Sequence, residues 1–263
     1  MSGYVLFQML DPLRQSLMKG HSFYVEQARK RLLSQFENIE SEADHAAKEW
    51  LDKSEKYFNP DRHDPGDFYE KASDIGIEFY ELLSDMHEQT RLSVVAGMFH
   101  EWDKKLRNWL AREIQHWHSG DNVTLKVWSA DFSQIADLLE SLGWKIRSAD
   151  YFDMLDACRL VVNVYKHGKG KSFDDIRARF PEYLDDPFKS IDDQLSDFKY
   201  LDHTYLKISD GQFQAFSEAI LAFWRDVPEN VYGSEVTDVP DWFGKALLKE
   251  RAEETGACAR KQA

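Results

Sequence analysis

The chain has 263 residues, enough for one large domain or two small ones with a substantial core. Its formal net charge of −14 argues against broad, non-specific binding of nucleic acids, because such binding needs a basic surface. Helix-favouring residues dominate and predict an all-α fold. Two cysteines, Cys158 and Cys258, are too few for a disulfide framework and favour a cytoplasmic location. No apolar run reaches membrane-spanning length, so no membrane contact is expected.

The first part of the chain predicts helices on both sides of one clear loop. Residues 1–58 are predicted to form an N-terminal helical region, and the loop follows at 59–66, which contains two prolines and a glycine. Asp67 is then a suitable N-cap for a long helix that reaches Trp117 and that the sequence allows to break near Thr90.

An apolar stripe inside this long helix has the helical repeat. Its members recur at i, i+3, i+4 and i+7 with charged residues opposite, and they are Val95, Phe99, Trp102, Leu106, Trp109 or Leu110, and Trp117. Because aromatic stripes of this kind usually serve helix packing, we interpret this one as the seam of a bundle and not as a ligand site.

The second part predicts further helices and two marginal strands. The strands are expected at Val123–Trp128 and Leu206–Ser209. Helices are expected from Ser129 to Leu142, from Ser148 to about position 167, from a capping box at 172–175, from Asp210 and from Asp241. Residues 190–205 are ambiguous, with a helix through Leu195 and Phe198 as one interpretation. The chain thereby divides into a bundle over 67–180, a C-terminal helical region over 190–252 and a polar tail over 253–263 that we expect to be disordered.

Three polar side chains share one face of a predicted helix. Arg159, Asn163 and His167 are spaced i, i+4, i+8, so they stack along the helix, whereas the residues between them are mostly apolar. Gly168 is a suitable αL C-cap, which places His167 in the last turn. A local basic patch adjoins this end of the helix and consists of Lys166, Lys169 and Lys171.

Two interpretations of this polar face stay open at the level of sequence. In the first, the face is a buried network that ties one helix to another, with Arg159 paired to Asp153 or Asp156. In the second, the face cleaves RNA without a metal. That reaction needs a group that moves the 2′-hydroxyl proton and a cation that stabilises the phosphorane, and His and Arg are the usual pair. Asn163 would then orient the imidazole or bind the phosphate.

The same helix resembles the signature helix of the HEPN superfamily of small α-helical domains. The segment Asn163-Val-Tyr-Lys-His167 matches the polar-x-x-x-His half of the family motif. The other half differs, because Val162 stands where the family usually has Arg, and Arg159 lies one turn earlier on the same face. The resemblance covers this motif and a plausible bundle from about residue 67 to residue 180.

The resemblance implies a core of four or five helices, with additional N- and C-terminal helices, in a homodimer whose two signature helices form one composite site. It implies a metal-independent endoribonuclease of antiviral defence or of a toxin–antitoxin pair. In such an enzyme His167 would be the general acid or base, Arg159 the phosphate clamp and Asn163 the orienting residue, while Lys166, Lys169 and Lys171 would contact the RNA backbone. No cofactor or metal is expected. The alternative is a catalytically inactive dimerisation or scaffold protein that binds a protein partner encoded nearby.

Overall fold

The computed structural model describes residues 4–186 and 201–261. The helices in this described part are α1 (Asp11–Arg31), α2 (Ile39–Ser54), α3 (Pro65–Gln115), α4 (Asn122–Ser129), α5 (Phe132–Ser141), α6 (Phe152–His167), α7 (Lys171–Arg179), α8 (Asp210–Asp226) and α9 (Asp241–Lys261), and the strands are β1 (Val5–Gln8) and β2 (Asn230–Tyr232). The predicted all-α class is therefore confirmed. Within the described ranges, no helix combines the length and the apolar composition that crossing a membrane requires.

Helix α3 is the longest element. Its 51 residues extend about 76 Å at 1.5 Å per residue. The helix begins earlier than predicted, because the Asp64 side chain, and not Asp67, caps it by accepting a hydrogen bond from the Gly66 amide at 2.8 Å. The helix also runs through Thr90 without a break, and the Thr90 hydroxyl donates to the Met86 carbonyl one turn back.

The apolar stripe of α3 forms the seam of the bundle, as predicted. Trp102, Leu106 and Trp109 are 2%, 0% and 4% exposed, and all belong to one cluster of buried side chains. The same cluster takes in Phe7 of β1 and Phe223 of α8, and Trp102 packs edge-on against Phe223 at a centroid distance of 5.1 Å. One hydrophobic core therefore joins the three helical regions into which the sequence pattern divides the chain.

The segment predicted as a strand at Val123–Trp128 is helix α4 instead. Its β-branched residues suit a strand, but Val123 and Val127 are also spaced i, i+4, and both are fully buried on one helical face. The carboxylate of Glu250 in α9 accepts hydrogen bonds from the first amides of α4, at 2.7 Å from Asn122 and 3.4 Å from Val123. A side chain far along the chain thus caps this helix, which a local pattern cannot show.

The small sheet joins segments near the two ends of the chain. Strand β1 pairs antiparallel with β2, and Phe7 lies opposite Val231. The strand predicted at Leu206–Ser209 does not form, since Leu206 makes only an isolated bridge with Leu184. Because Phe7 is 1% exposed, this pairing fixes the N-terminal segment onto the core.

Other helix boundaries also differ from the predicted ones. Helix α6 begins at Phe152, one turn later than the predicted start at Ser148. Helix α5 begins after Asp131, which caps it, slightly later than expected. Helix α7 begins at Lys171 and lacks the capping box predicted at 172–175, because a glycine occupies its N-cap position. Helix α9 continues to Lys261, through the segment predicted as a disordered tail, where Ala, Glu, Lys and Arg favour helix. Of the unassigned residues 190–205, those before 201 lie outside the described residues.

Candidate nucleic-acid interface

Helix α6 carries the three residues predicted to form the site. Its apolar side packs into the core, with Leu155 and Val162 at most 1% exposed. On the polar side, exposure increases towards the C-terminus: the Arg159 side chain is 26% exposed, Asn163 is half-buried and His167 is exposed. The helical spacing therefore places the three residues as expected, but only the last of them is fully open to solvent.

Arg159 is held by a carboxylate of its own chain. Its Nε and Nη2 atoms both donate to Oδ1 of Asp156, at 2.8 and 2.6 Å. Arg179 of α7 donates to the other oxygen, Oδ2, at 2.6 Å. Asp156 is 8% exposed, and a carboxylate buried to this degree needs such partners. Of the two acids considered for Arg159, Asp156 is the one that binds it, whereas Asp153 is exposed.

A cavity of about 450 Å³ opens beside this ion pair, between α5, α6 and α7. Four cationic side chains line it, namely Arg147, Arg159, Lys171 and Arg179. Three acids also line it, namely Asp131, Asp156 and Asp175. Arg147 is occupied by Asp137 and Glu140, each at 2.6 Å. The cavity is therefore close to neutral, and most of its cations already have acidic partners.

Two glycines form the corner between α6 and α7. Gly168 has φ +69° with ψ −129°, and Gly170 has φ +152°; an L side chain would strain both positions. The positive φ expected at Gly168 is present, although its ψ lies outside the αL region. We define the basic corner as Lys166, His167, Lys169 and Lys171. All four side chains are exposed, and none of the three lysines forms an ion pair with a described residue.

A second histidine, His203, lies against this corner and was not predicted. A Cβ atom on Gly168 would lie 3.1 Å from the His203 Cδ2 atom, so the ring packs on the corner backbone. Its Nδ1 atom is buried without a hydrogen-bond partner in the described part of the chain. The pKa of neighbouring Asp202 is lowered by hydrogen bonds from Thr204 and further by the charges of His203 and Lys169. No local pattern relates His203 to α6, so only the fold reveals this contact.

Arg159 and His167 do not converge within one chain. They lie two helical turns apart, about 12 Å along the axis at 1.5 Å per residue. The cavity brings Arg159 and Lys171 together, whereas His167 lies at the corner and Asn163 lines neither the cavity nor the corner. One chain therefore presents the predicted residues at two adjacent places and not in one cluster.

Neither a metal-ligand cluster nor a known relative identifies the chemistry of this site. Among the described residues, no group of three or more His, Cys, Asp or Glu side chains is arranged to hold a metal ion. Comparisons with protein-family models, curated proteins and solved structures found no match. The resemblance to the HEPN superfamily consequently rests on the α6 residues alone.

Proposed function

We propose that the chain is a cytoplasmic, metal-independent endoribonuclease that binds RNA at the basic corner. One observation carries this proposal: three exposed lysines, none in a salt bridge with a described residue, lie close in sequence to an exposed imidazole, on a chain of net charge −14. A local excess of positive charge suits a phosphate backbone, which dominates the affinity of proteins for nucleic acids. The resemblance of α6 to the HEPN signature helix adds the expectation of cleavage.

Cleavage of RNA without a metal needs proton transfer and stabilisation of charge. His167 would accept the 2′-hydroxyl proton while that oxygen attacks the adjacent phosphorus. The bond from phosphorus to the 5′ oxygen then breaks, and this oxygen takes a proton from an acid, which leaves a 2′,3′-cyclic phosphate and a 5′-hydroxyl. The resemblance implies a homodimer, in which the basic corner of a second copy would supply that acid. The lysines would hold phosphate oxygens as point charges.

We assign Arg159 a positioning role, in place of the phosphate clamp that the resemblance implies. The Nε and Nη2 atoms of Arg159 already donate to Asp156, which is buried, so this two-donor edge is not available to clamp a phosphate while the ion pair holds. Arg159 and Arg179 would instead hold α6 and α7 in the orientation that forms the corner.

Cleavage of single-stranded RNA in the presence of EDTA tests the proposed chemistry. His167→Ala should lower the cleavage rate at least about 10²-fold, the usual effect of losing a general acid or base, and should leave folding intact because His167 is exposed. His100→Ala is the matched control, since His100 is an exposed histidine of α3 that lines neither the cavity nor the corner. Undiminished cleavage by the His167 variant would rule out the assignment.

A salt titration tests the RNA-binding part separately. If three lysines each neutralise one phosphate of single-stranded RNA, the logarithm of the affinity should fall with the logarithm of salt concentration with a slope of about −2. Lys169→Ala should reduce the size of that slope by about 0.7, whereas Lys30→Ala, at an exposed position on α1, should not. A slope near zero would contradict binding at the corner.

The second candidate is a catalytically inactive scaffold, and the pairing of Arg159 favours it. Arg159 and Arg179 share Asp156, so part of the polar face ties α6 to α7. This agrees with the interpretation of the polar face as a network that ties one helix to another. Outside the basic corner, the net negative charge of the chain repels RNA, and such a surface is better suited to a protein partner. A folded wild-type chain that neither cleaves RNA nor binds it in a salt-dependent manner would support the scaffold.

A further inference from the structure

A larger cavity, of about 610 Å³, lies between α1 and α3 and reaches α8. Its size is within the range of small-molecule sites, roughly 300–1,000 Å³. Its apolar wall consists of Leu17, Phe23, Leu32, Met98, Trp102 and Trp224. Phe23 and Leu32 are 62% and 48% exposed, so apolar surface continues to the mouth of the cavity. This cavity shares no lining residue with the cavity beside Arg159.

One cation in this wall has no ion-pair partner among the described residues. Lys105 is half-buried and lines the cavity on α3, three residues after Trp102 and on the same helical face. The Nε1 atom of Trp102 is closed to solvent, so a ligand in the open cavity would meet the Trp102 ring and not its N–H. Lys105 is therefore the group in this wall that a polar ligand group can approach.

The charges around the cavity favour an anion. Arg31 and Lys105 line it, and neither forms an ion pair with a described residue. Glu101 is the acid in the described lining, and it is already paired with Lys104 at 3.2 Å. His21 is neutral near pH 7, because burial and then the charge of Lys105 lower its pKa to about 4. The lining is therefore net positive, and an amine would be repelled.

We propose that this cavity binds an amphipathic carboxylate, a small molecule with an apolar body and one carboxylate group. The apolar body would lie along the wall and cover the exposed rings at the mouth. The carboxylate would pair with the Lys105 ammonium, and the Arg31 guanidinium in the same lining would add to the attraction. This site is independent of the proposed RNA chemistry, because it shares no residue with the basic corner.

Calorimetric titration of the full chain with decanoate and with decanol tests the proposal. The apolar chain of decanol is longer by one methylene, so tighter binding of decanoate would report the carboxylate. We expect decanoate to bind at least about tenfold more tightly, as one charge-assisted contact allows. Lys105→Met should weaken decanoate binding at least about tenfold and leave decanol binding unchanged. Lys30→Met is the control, because it removes the same charge from an exposed position of α1 outside the cavity.

Thermal unfolding of Lys105→Met shows whether the variant is folded, which we expect because Lys105 is only half-buried. Equal affinity for both probes, an unchanged affinity in Lys105→Met, or no binding by the folded wild-type chain would each overturn the proposal.

Discussion

A buried histidine in α1 should make the protein less stable in mild acid. His21 is 6% exposed, and its Nε2 atom lies 2.9 Å from Oγ of Ser217 in α8. Burial, and then the charge of Lys105, lower its pKa from 6.5 to about 4. In the unfolded chain the imidazole regains its ordinary pKa. Between these two values the unfolded chain binds a proton that the folded chain does not, so stability falls as pH falls.

The size of this loss follows from the two pKa values. Relative to about pH 8, the contribution of His21 is a loss of about 2 kcal/mol at about pH 5 and of about 3 kcal/mol at about pH 4. Urea unfolding at each pH measures it as the difference between the wild type and His21→Gln, whose amide does not titrate. The wild type should lose more stability than the variant over this interval, by the amounts given.

The control for this experiment is His100→Gln, which removes an exposed histidine of the neighbouring helix α3. Other groups titrate in the same interval, but they contribute equally to the wild type and to both variants. Parallel stability curves for the wild type and His21→Gln would show that His21 does not lose its proton affinity on folding. The argument that burial lowers the pKa of His21 would then be wrong. The statement that His21 is neutral near pH 7 in the lining of the cavity between α1 and α3 would be wrong as well.

Two further predictions concern the core and the ion pair. Trp109→Ala should lower the free energy of unfolding by roughly 3–5 kcal/mol, since Trp109 is buried and its Nε1 donates to the Gln8 carbonyl. Trp128→Ala is the control, because Trp128 is 44% exposed. An equal loss of stability in both variants would refute the prediction. Asp156→Asn should cost roughly 1–3 kcal/mol in urea unfolding, because a neutral amide weakens the charged hydrogen bonds to two partly exposed guanidinium groups. Unchanged stability would show that the pair is not structural.

Most helices could be predicted because their information is local. The apolar repeat from Val95 to Trp109 lies on one face of adjacent turns, and burial of that face decides the structure of the segment. The helix that starts near Asp210 could be predicted for the same reason, and Ser209 and Gln212 form its capping box. In these segments the local preference and the tertiary contacts favour the same structure.

Two failures of the sequence-based prediction, the strand predicted at α4 and the missed His203, arose where a distant residue decides the local structure. Helix α4 depends on Glu250, whose carboxylate also contacts Nε2 of His118 at 2.8 Å. Gly120 belongs to the same arrangement, because its φ is +146° and a side chain there would collide with Glu250. His203 likewise reaches Gly168 only through the fold. None of these contacts has a signature in the spacing of neighbouring residues.

The candidate site shows the same division between local and distant information. The helical repeat placed Arg159, Asn163 and His167 on one face, and Asp156 was one of two acids considered for Arg159. The repeat could not show that Arg179 of α7 shares this carboxylate, because that contact depends on how α7 packs.

Charge balance explains why the corner, and not the cavity, is the better RNA surface. The cavity beside Arg159 has four cations and three acids in its lining, and Arg147 is further neutralised by Asp137 and Glu140. A phosphate there would gain little net attraction and would compete with carboxylates already in place. At the corner, three lysines lie beside His167 without an ion-pair partner in the described chain. A phosphate bound there breaks no salt bridge of the described chain, although Asp202 lies near Lys169, and it releases counterions, which is the usual source of affinity for nucleic acids.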